Sequence, residues 1–92
     1  MSEPAIKPVK VLMYSKNPCP YCVHAKRLLT NKGVTFDEID LTDRPEEMQK
    51  IKDLYHWKTV PIIVINDKLI GGYTDMKALE EEGKLDALLG IK

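Results

Sequence analysis

The chain has 92 residues, 43% of them hydrophobic, with 14 Lys plus Arg balanced by 14 Asp plus Glu. That length holds one small domain and that composition suits an ordinary soluble globular protein. Zero net charge leaves no overall field to favour nucleic acid or a membrane surface, and the longest strongly apolar run, Ile62-Ile63-Val64-Ile65, is too short to span a bilayer. Met1 to Pro8 carries two prolines, mixed charge and no apolar signal core, so it reads as a flexible arm ahead of a single domain over 9–92. With no secretion signal the expected compartment is the cytoplasm, where a cysteine pair stays reducible.

Val9 to Tyr14 reads as a strand apolar enough to lie centrally in a sheet covered on both faces. A helix follows the cysteines, with Lys26, Arg27 and Lys32 outward and Gly33 as its left-handed terminator. Thr35 to Leu41 is a second strand, and strand–helix–strand at this spacing implies a right-handed parallel crossover. Asp43-Arg44-Pro45-Glu46 reads as a helix start with Asp43 capping. Met48, Ile51, Leu54 and Tyr55 then form one apolar face, read as core packing. Trp57 reads as packing at the border of the suspected site, and His56 as a surface residue. Ile62 to Ile65 and Leu69 to Gly71 are strands joined by Asn66-Asp67-Lys68, a tight hairpin signal. Gly71-Gly72 permits close backbone approach. Thr74 then caps a third helix carrying Met76 and Leu79. Glu80-Glu81-Glu82 reads as a solvated face, Gly83 as a break, and Leu85, Leu88 and Leu89 as a last short helix. The order β-α-β-α-β-β-α predicts an α/β fold, a four-stranded mixed β-sheet flanked by helices on both faces.

The chemistry concentrates in Asn17-Pro18-Cys19-Pro20-Tyr21-Cys22, which holds the chain's two cysteines. A Cys-x-x-Cys at a strand-to-helix switch reads as a redox pair. As a structural staple it would do little, since closing so short a ring contributes only about 2 kcal/mol in the chain-entropy model. As half a zinc site it would need two more ligands, and of the remaining candidates, His24 and His56, the first points to another helix face. If the helix starts here, Pro20 takes the first turn, where a missing N–H costs nothing. Cys19 then caps the helix against unsatisfied N–H groups and the positive end of the dipole, with Lys16 as a cationic neighbour. Cys22 lies one turn further in and should ionise less readily, so Cys19 attacks and Cys22 resolves. Lowering the Cys19 pKa raises its thiolate fraction but lowers its intrinsic nucleophilicity, at a Brønsted slope of about 0.5. The two nearly cancel in attack, and the gain comes when Cys19 is the leaving group.

Three separated motifs, Cys19-Pro20-Tyr21-Cys22, Thr59-Val60-Pro61 and Gly71-Gly72-Tyr73-Thr74-Asp75, occur in the order and spacing of dithiol glutaredoxins, and the chain resembles that family from Val9 to Leu89. The resemblance implies the thioredoxin fold and reversible thiol–disulfide exchange with glutathione as the electron-donating co-substrate and no metal. It makes Cys19 the nucleophile and Cys22 the resolving thiol of a redox disulfide, with Lys16 near the thiolate and the glycine carboxylate of glutathione. Tyr21 would lean on the tripeptide, and Thr59-Val60-Pro61 would be a cis-proline loop whose Val60 backbone pairs with the cysteinyl part. Gly72, Tyr73, Thr74 and Asp75 would also bind glutathione, with Thr74 at the γ-glutamyl carboxylate and Asp75 at its amino group. Lys58 stands where the family often has arginine, a less directional partner for a carboxylate. Tyr73 departs from relatives that carry a further cysteine after the paired glycines.

These readings imply a monomer that acts on glutathionylated or disulfide-containing proteins and binds no nucleic acid. Two alternatives compete. A thioredoxin-like protein disulfide reductase served by a flavin reductase would have Gly-Pro between its cysteines and a tryptophan before them, where this chain has Pro20-Tyr21 and Pro18. A module holding an iron–sulfur cluster between two chains through Cys19 and glutathione would favour a more flexible loop than Pro20 allows.

Overall fold

The computed structural model describes residues 9–91, so the expected N-terminal arm, and Lys92 at the other end, lie outside the described residues. Four strands, β1 (Val11–Ser15), β2 (Asp37–Asp40), β3 (Ile62–Ile65) and β4 (Lys68–Gly71), form one sheet in the order β2-β1-β3-β4. β1 runs parallel to β2 and antiparallel to β3, and β4 returns antiparallel on β3. Four helices, α1 (Pro20–Asn31), α2 (Pro45–Tyr55), α3 (Tyr73–Glu81) and α4 (Leu85–Leu88), complete the described chain. Among the described residues no helix is long and apolar enough to cross a membrane.

Strand alternation sorts the core into two layers. Val11 and Met13 pair in register with Ile65 and Ile63, and these four meet Ala25 and Leu29 of α1, Met76 of α3, and Leu85 and Leu89 at α4. Burying each larger side chain of that set stabilises the fold by roughly 1.5–3 kcal/mol. On the opposite face the Tyr14 ring lies 6.5 Å from that of Tyr55 on α2. β3 is covered on both faces, which is why all four of its residues are buried and apolar. The hairpin turn is Asn66-Asp67, both with positive φ (52° and 66°), as a two-residue turn matched to strand twist requires.

Several local expectations need correction. Arg44, not Asp43, is the N-cap of α2, because Pro45 occupies the first turn and so fixes the cap one residue before it; no side chain bonds there. Gly72, not Thr74, is the N-cap of α3. Leu54 is 66% exposed rather than packed, since only Met48 on α2 reaches full burial. β2 is shorter than Thr35–Leu41. Lys32 does not point freely outward: its ammonium lies 2.7 Å from Glu80 and 2.6 Å from Asp86, and its side chain is 15% exposed. Glu80 is thereby part of a clamp from the end of α1 to α3 and α4, rather than a purely solvated residue.

The registers bring the three motifs to one edge of the sheet. Tyr14 pairs with Ile62, so the chain leaving β1 towards the cysteines passes beside Pro61. Ile63 pairs with Gly71, so the chain leaving β4 emerges at the same place. Segments distant in sequence therefore share one corner of the molecule.

Candidate active site

At that corner α1 begins as the sequence predicts. Pro20 takes the first helical position and Cys19, extended at φ −155° and ψ 99°, is the N-cap. The Cys22 N–H donates to Cys19 Sγ at 3.1 Å, and the Val23 N–H donates to the Cys19 carbonyl at 3.1 Å. The sulfur thus stands where a serine or aspartate oxygen usually caps a helix. Negative charge forming on it is favoured by that N–H and by the dipole, typically by about 0.3–1 kcal/mol and up to about 2 when partly buried. Cys19 and Cys22 are joined as a disulfide with Cα atoms 5.2 Å apart. Cys19 is half-buried while Cys22 is only 3% exposed, so the two sulfurs differ in access as the motif predicts.

On the β3–β4 side of the disulfide runs a groove of about 250 Å³ lined by Tyr21, Trp57, Thr59, Val60, Pro61, Gly72, Tyr73, Thr74 and Asp75. The Val60–Pro61 peptide is cis, as is Asn17–Pro18, which the sequence reading did not anticipate. The Val60 carbonyl lies 3.8 Å from Cys19 Sγ, which joins the groove to the redox centre. The far wall is the start of α3. There the Gly72 N–H donates to Asp75 Oδ2 at 3.0 Å, and the Met76 N–H donates to the Gly72 carbonyl. Gly71 has φ 121°, and a Cβ on it would stand 2.7 Å from Asp75 Oδ2, so a side chain there would displace the carboxylate. Tyr21 and Tyr73 stack across the groove mouth with centroids 6.1 Å apart and planes 20° apart, and His24 lies 5.5 Å from Tyr73.

Eight of the residues singled out from sequence for ligand binding therefore meet in one groove. The two lysines do not line it. Lys16 borders a separate cavity on the β2 side of the disulfide, and Lys58 borders an open depression with Gln49, Lys52, Asp53 and His56. Both are exposed. Trp57, read from sequence as packing at the border of the site, is half-buried and lines the groove itself, and its buried indole N–H has no hydrogen-bond partner. No local signal separates such a tryptophan from a core one; only the placement of the Pro61 loop against Gly72 reveals it. Sequence also missed Ser15, buried to 2% and donating to Glu38 Oε2 at 2.7 Å. Among the described residues no group of three or more His, Cys, Asp or Glu side chains is arranged to hold a metal ion.

A family model described as Glutaredoxin matches residues 11–70. The chain is 46% identical over 79 residues to the glutaredoxin of Pseudomonas aeruginosa, covering 86% of this chain and 94% of that one. Among solved structures it resembles the solution structure of glutaredoxin from Brucella melitensis, with a TM-score of 0.79 and 43% identity over 89% of each chain. It also resembles the buckwheat glutaredoxin–glutathione complex, with a TM-score of 0.78 and 28% identity over 86% of this chain and 74% of that one. With its thioredoxin fold and its cysteine pair at a helix cap, the chain belongs to the glutaredoxin family of thiol–disulfide oxidoreductases.

Proposed function

We propose that this oxidoreductase draws its electrons from glutathione and reduces glutathione mixed disulfides and protein disulfides in the cytoplasm, acting as a monomer. In the first reaction the Cys19 thiolate attacks the glutathione sulfur of a mixed disulfide and the substrate thiol leaves. A second glutathione then attacks the Cys19–glutathione disulfide, and Cys19 departs as a thiolate favoured by its helix cap. With a protein disulfide, Cys22 closes on Cys19 to release the substrate, and two glutathione molecules reopen the ring.

The observation that carries this reading is the groove beside Cys19 with a helix N-terminus at its far end. Glutathione differs from other thiols chiefly in its γ-glutamyl end, an amine and a carboxylate on one carbon. The first-turn N–H groups of Tyr73, Thr74 and Asp75 have no helical acceptor and suit the carboxylate. Asp75 caps Gly72 through Oδ2 and keeps Oδ1 for the amine. Tyr21 and Tyr73 supply an apolar wall, and Lys16 and Lys58, outside the groove, supply screened positive charge rather than fixed contacts. A family relative solved as a glutathione complex supports glutathione as the ligand.

Turnover on a glutathionylated peptide, with NADPH and either glutathione plus glutathione reductase or thioredoxin reductase alone, tests the proposal. The expected result is turnover with glutathione only. Turnover sustained by thioredoxin reductase and not by glutathione would overturn it.

A further inference from the structure

The groove accounts for one side of the disulfide. On the other, towards β2, a polar cavity of about 240 Å³ is bordered by both cysteines and by Ser15, Lys16, Lys26, Glu38 and Asp40. Cys22 borders this cavity and not the groove. Ser15 is the one fully buried polar side chain among the described residues, and its hydroxyl is committed to Glu38 Oε2 at 2.7 Å. Glu38 Oε1 lies 3.3 Å from the Lys26 ammonium.

We propose that this cavity is the proton route of the resolving cysteine, with Glu38 as the acid–base group at its end. A buried thiol ionises reluctantly, yet only the thiolate attacks. In ring closure the Cys22 proton passes to the Glu38 carboxylate through the Ser15 hydroxyl or water in the cavity, which is polar and large enough to hold it. The Cys22 thiolate then attacks Cys19 Sγ. The Cys19–substrate S–S bond breaks, the Cys19–Cys22 bond forms, and the substrate sulfur leaves as a thiolate that takes a proton from solvent. The two cysteines are oxidised by the two electrons that reduce the substrate. When the ring is reopened, the proton returns from Glu38 to Cys22.

The surrounding charges fit this division. Lys26 from α1 and Lys16 from the loop after β1 border the same cavity and bring positive charge to it. Asp40, the other acid on β2, is engaged by the Thr42 hydroxyl and N–H, which hold its carboxyl below the usual range, and no hydrogen bond links it to Ser15. Glu38 keeps the remaining carboxylate role, fixed by one hydroxyl and one ammonium.

The reduced protein is mixed with excess 5,5′-dithiobis(2-nitrobenzoate), and two releases of coloured thiol are followed by stopped flow between pH 5 and 10. The first reports attack by Cys19 and the second reports ring closure by Cys22. Partial alkylation with iodoacetamide identifies the thiol that attacks first, so a wrong assignment of the cysteines is detected separately. Glu38→Gln should slow the second release about ten- to hundredfold at neutral pH, at or below the low end of what positioned acid–base groups contribute. It should leave the first release unchanged and converge with wild type at alkaline pH, where hydroxide removes the proton. Ser15→Ala should slow the second release in the same pH range by a smaller factor, and Glu38→Asp should restore part of the loss. An unchanged second release in Glu38→Gln, or a loss of equal size at every pH, would overturn the proposal.

Discussion

Two helix N-termini face each other across the groove, and they handle negative charge in opposite ways. At α1 the cap is the reacting sulfur itself: Cys19 Sγ accepts the Cys22 N–H, so the charge the helix end favours is made and consumed in the reaction. At α3 the cap is Gly72, which has no side chain, and its N–H is satisfied from behind by Asp75. The remaining first-turn N–H groups of α3 stay free for charge that arrives with a ligand. Both caps are extended and both follow a strand of the same sheet, so in the proposed function one local device serves catalysis at one end and recognition at the other. A proline at the first position serves the first use, since the cap must carry the sulfur and lose nothing else. A glycine serves the second, since a ligand must reach the backbone.

The sharpest break in this comparison is at the α1 cap. Cys19→Ser should abolish reduction of both mixed disulfides and protein disulfides, because no other thiol is placed to attack. Cys22→Ser should retain mixed-disulfide reduction and lose most protein-disulfide reduction, and equal loss of both would show that the roles are misassigned. A smaller effect is expected at the α3 end. Gly71→Ala forces a side chain into φ 121° and against Asp75 Oδ2, a strain of about 1–3 kcal/mol. Urea unfolding should show that loss together with a raised KM for glutathione, and an unchanged midpoint and KM would remove Asp75 from the site. The smallest effect belongs to Lys16. The Cys19 pKa should lie below the ordinary thiol range, through the helix end first and the lysine second. Because an exposed charge pair contributes no more than about 1 kcal/mol, Lys16→Ala should raise the thiolate absorbance midpoint by less than about one pH unit. An ordinary pKa in the wild type would contradict the role given to the cap.

Much of this was legible in the sequence, and the exceptions have physical causes. Pro20 fixed the expected cap at Cys19 correctly, because proline at a first turn locates the residue before it. The same rule applied to Pro45 gives Arg44; the preference for Asp43 as a capping type outweighed it and misplaced the start by one residue. Thr74 has the chemistry of a cap, but the strand before it ends at Gly71, so the helix begins at once and Asp75 reaches back to Gly72 instead. Helical spacing placed Leu54 with Met48, yet periodicity gives only a direction, and Leu54 stays exposed while Met48 is buried. Trp57 in the groove and Ser15 against Glu38 depend on contacts between segments far apart in sequence, about which local pattern is silent.

The central claim, that α3 confers glutathione use while α1 performs the chemistry, is tested most directly by Asp75→Ala. Its KM for glutathione and its rate of Cys19 alkylation by iodoacetamide are compared with those of the wild type and of Asp75→Asn, which retains the cap to Gly72 but not the charge. Losing a charge-assisted contact of about 1.5–3 kcal/mol should weaken glutathione use roughly ten- to hundredfold. Asp75→Asn should lose a comparable factor, because the amine of glutathione needs the charge. Alkylation of Cys19 should stay near the wild-type rate in both variants. Glutathione use by Asp75→Ala equal to that of the wild type would contradict the account, as would alkylation that falls in step with it.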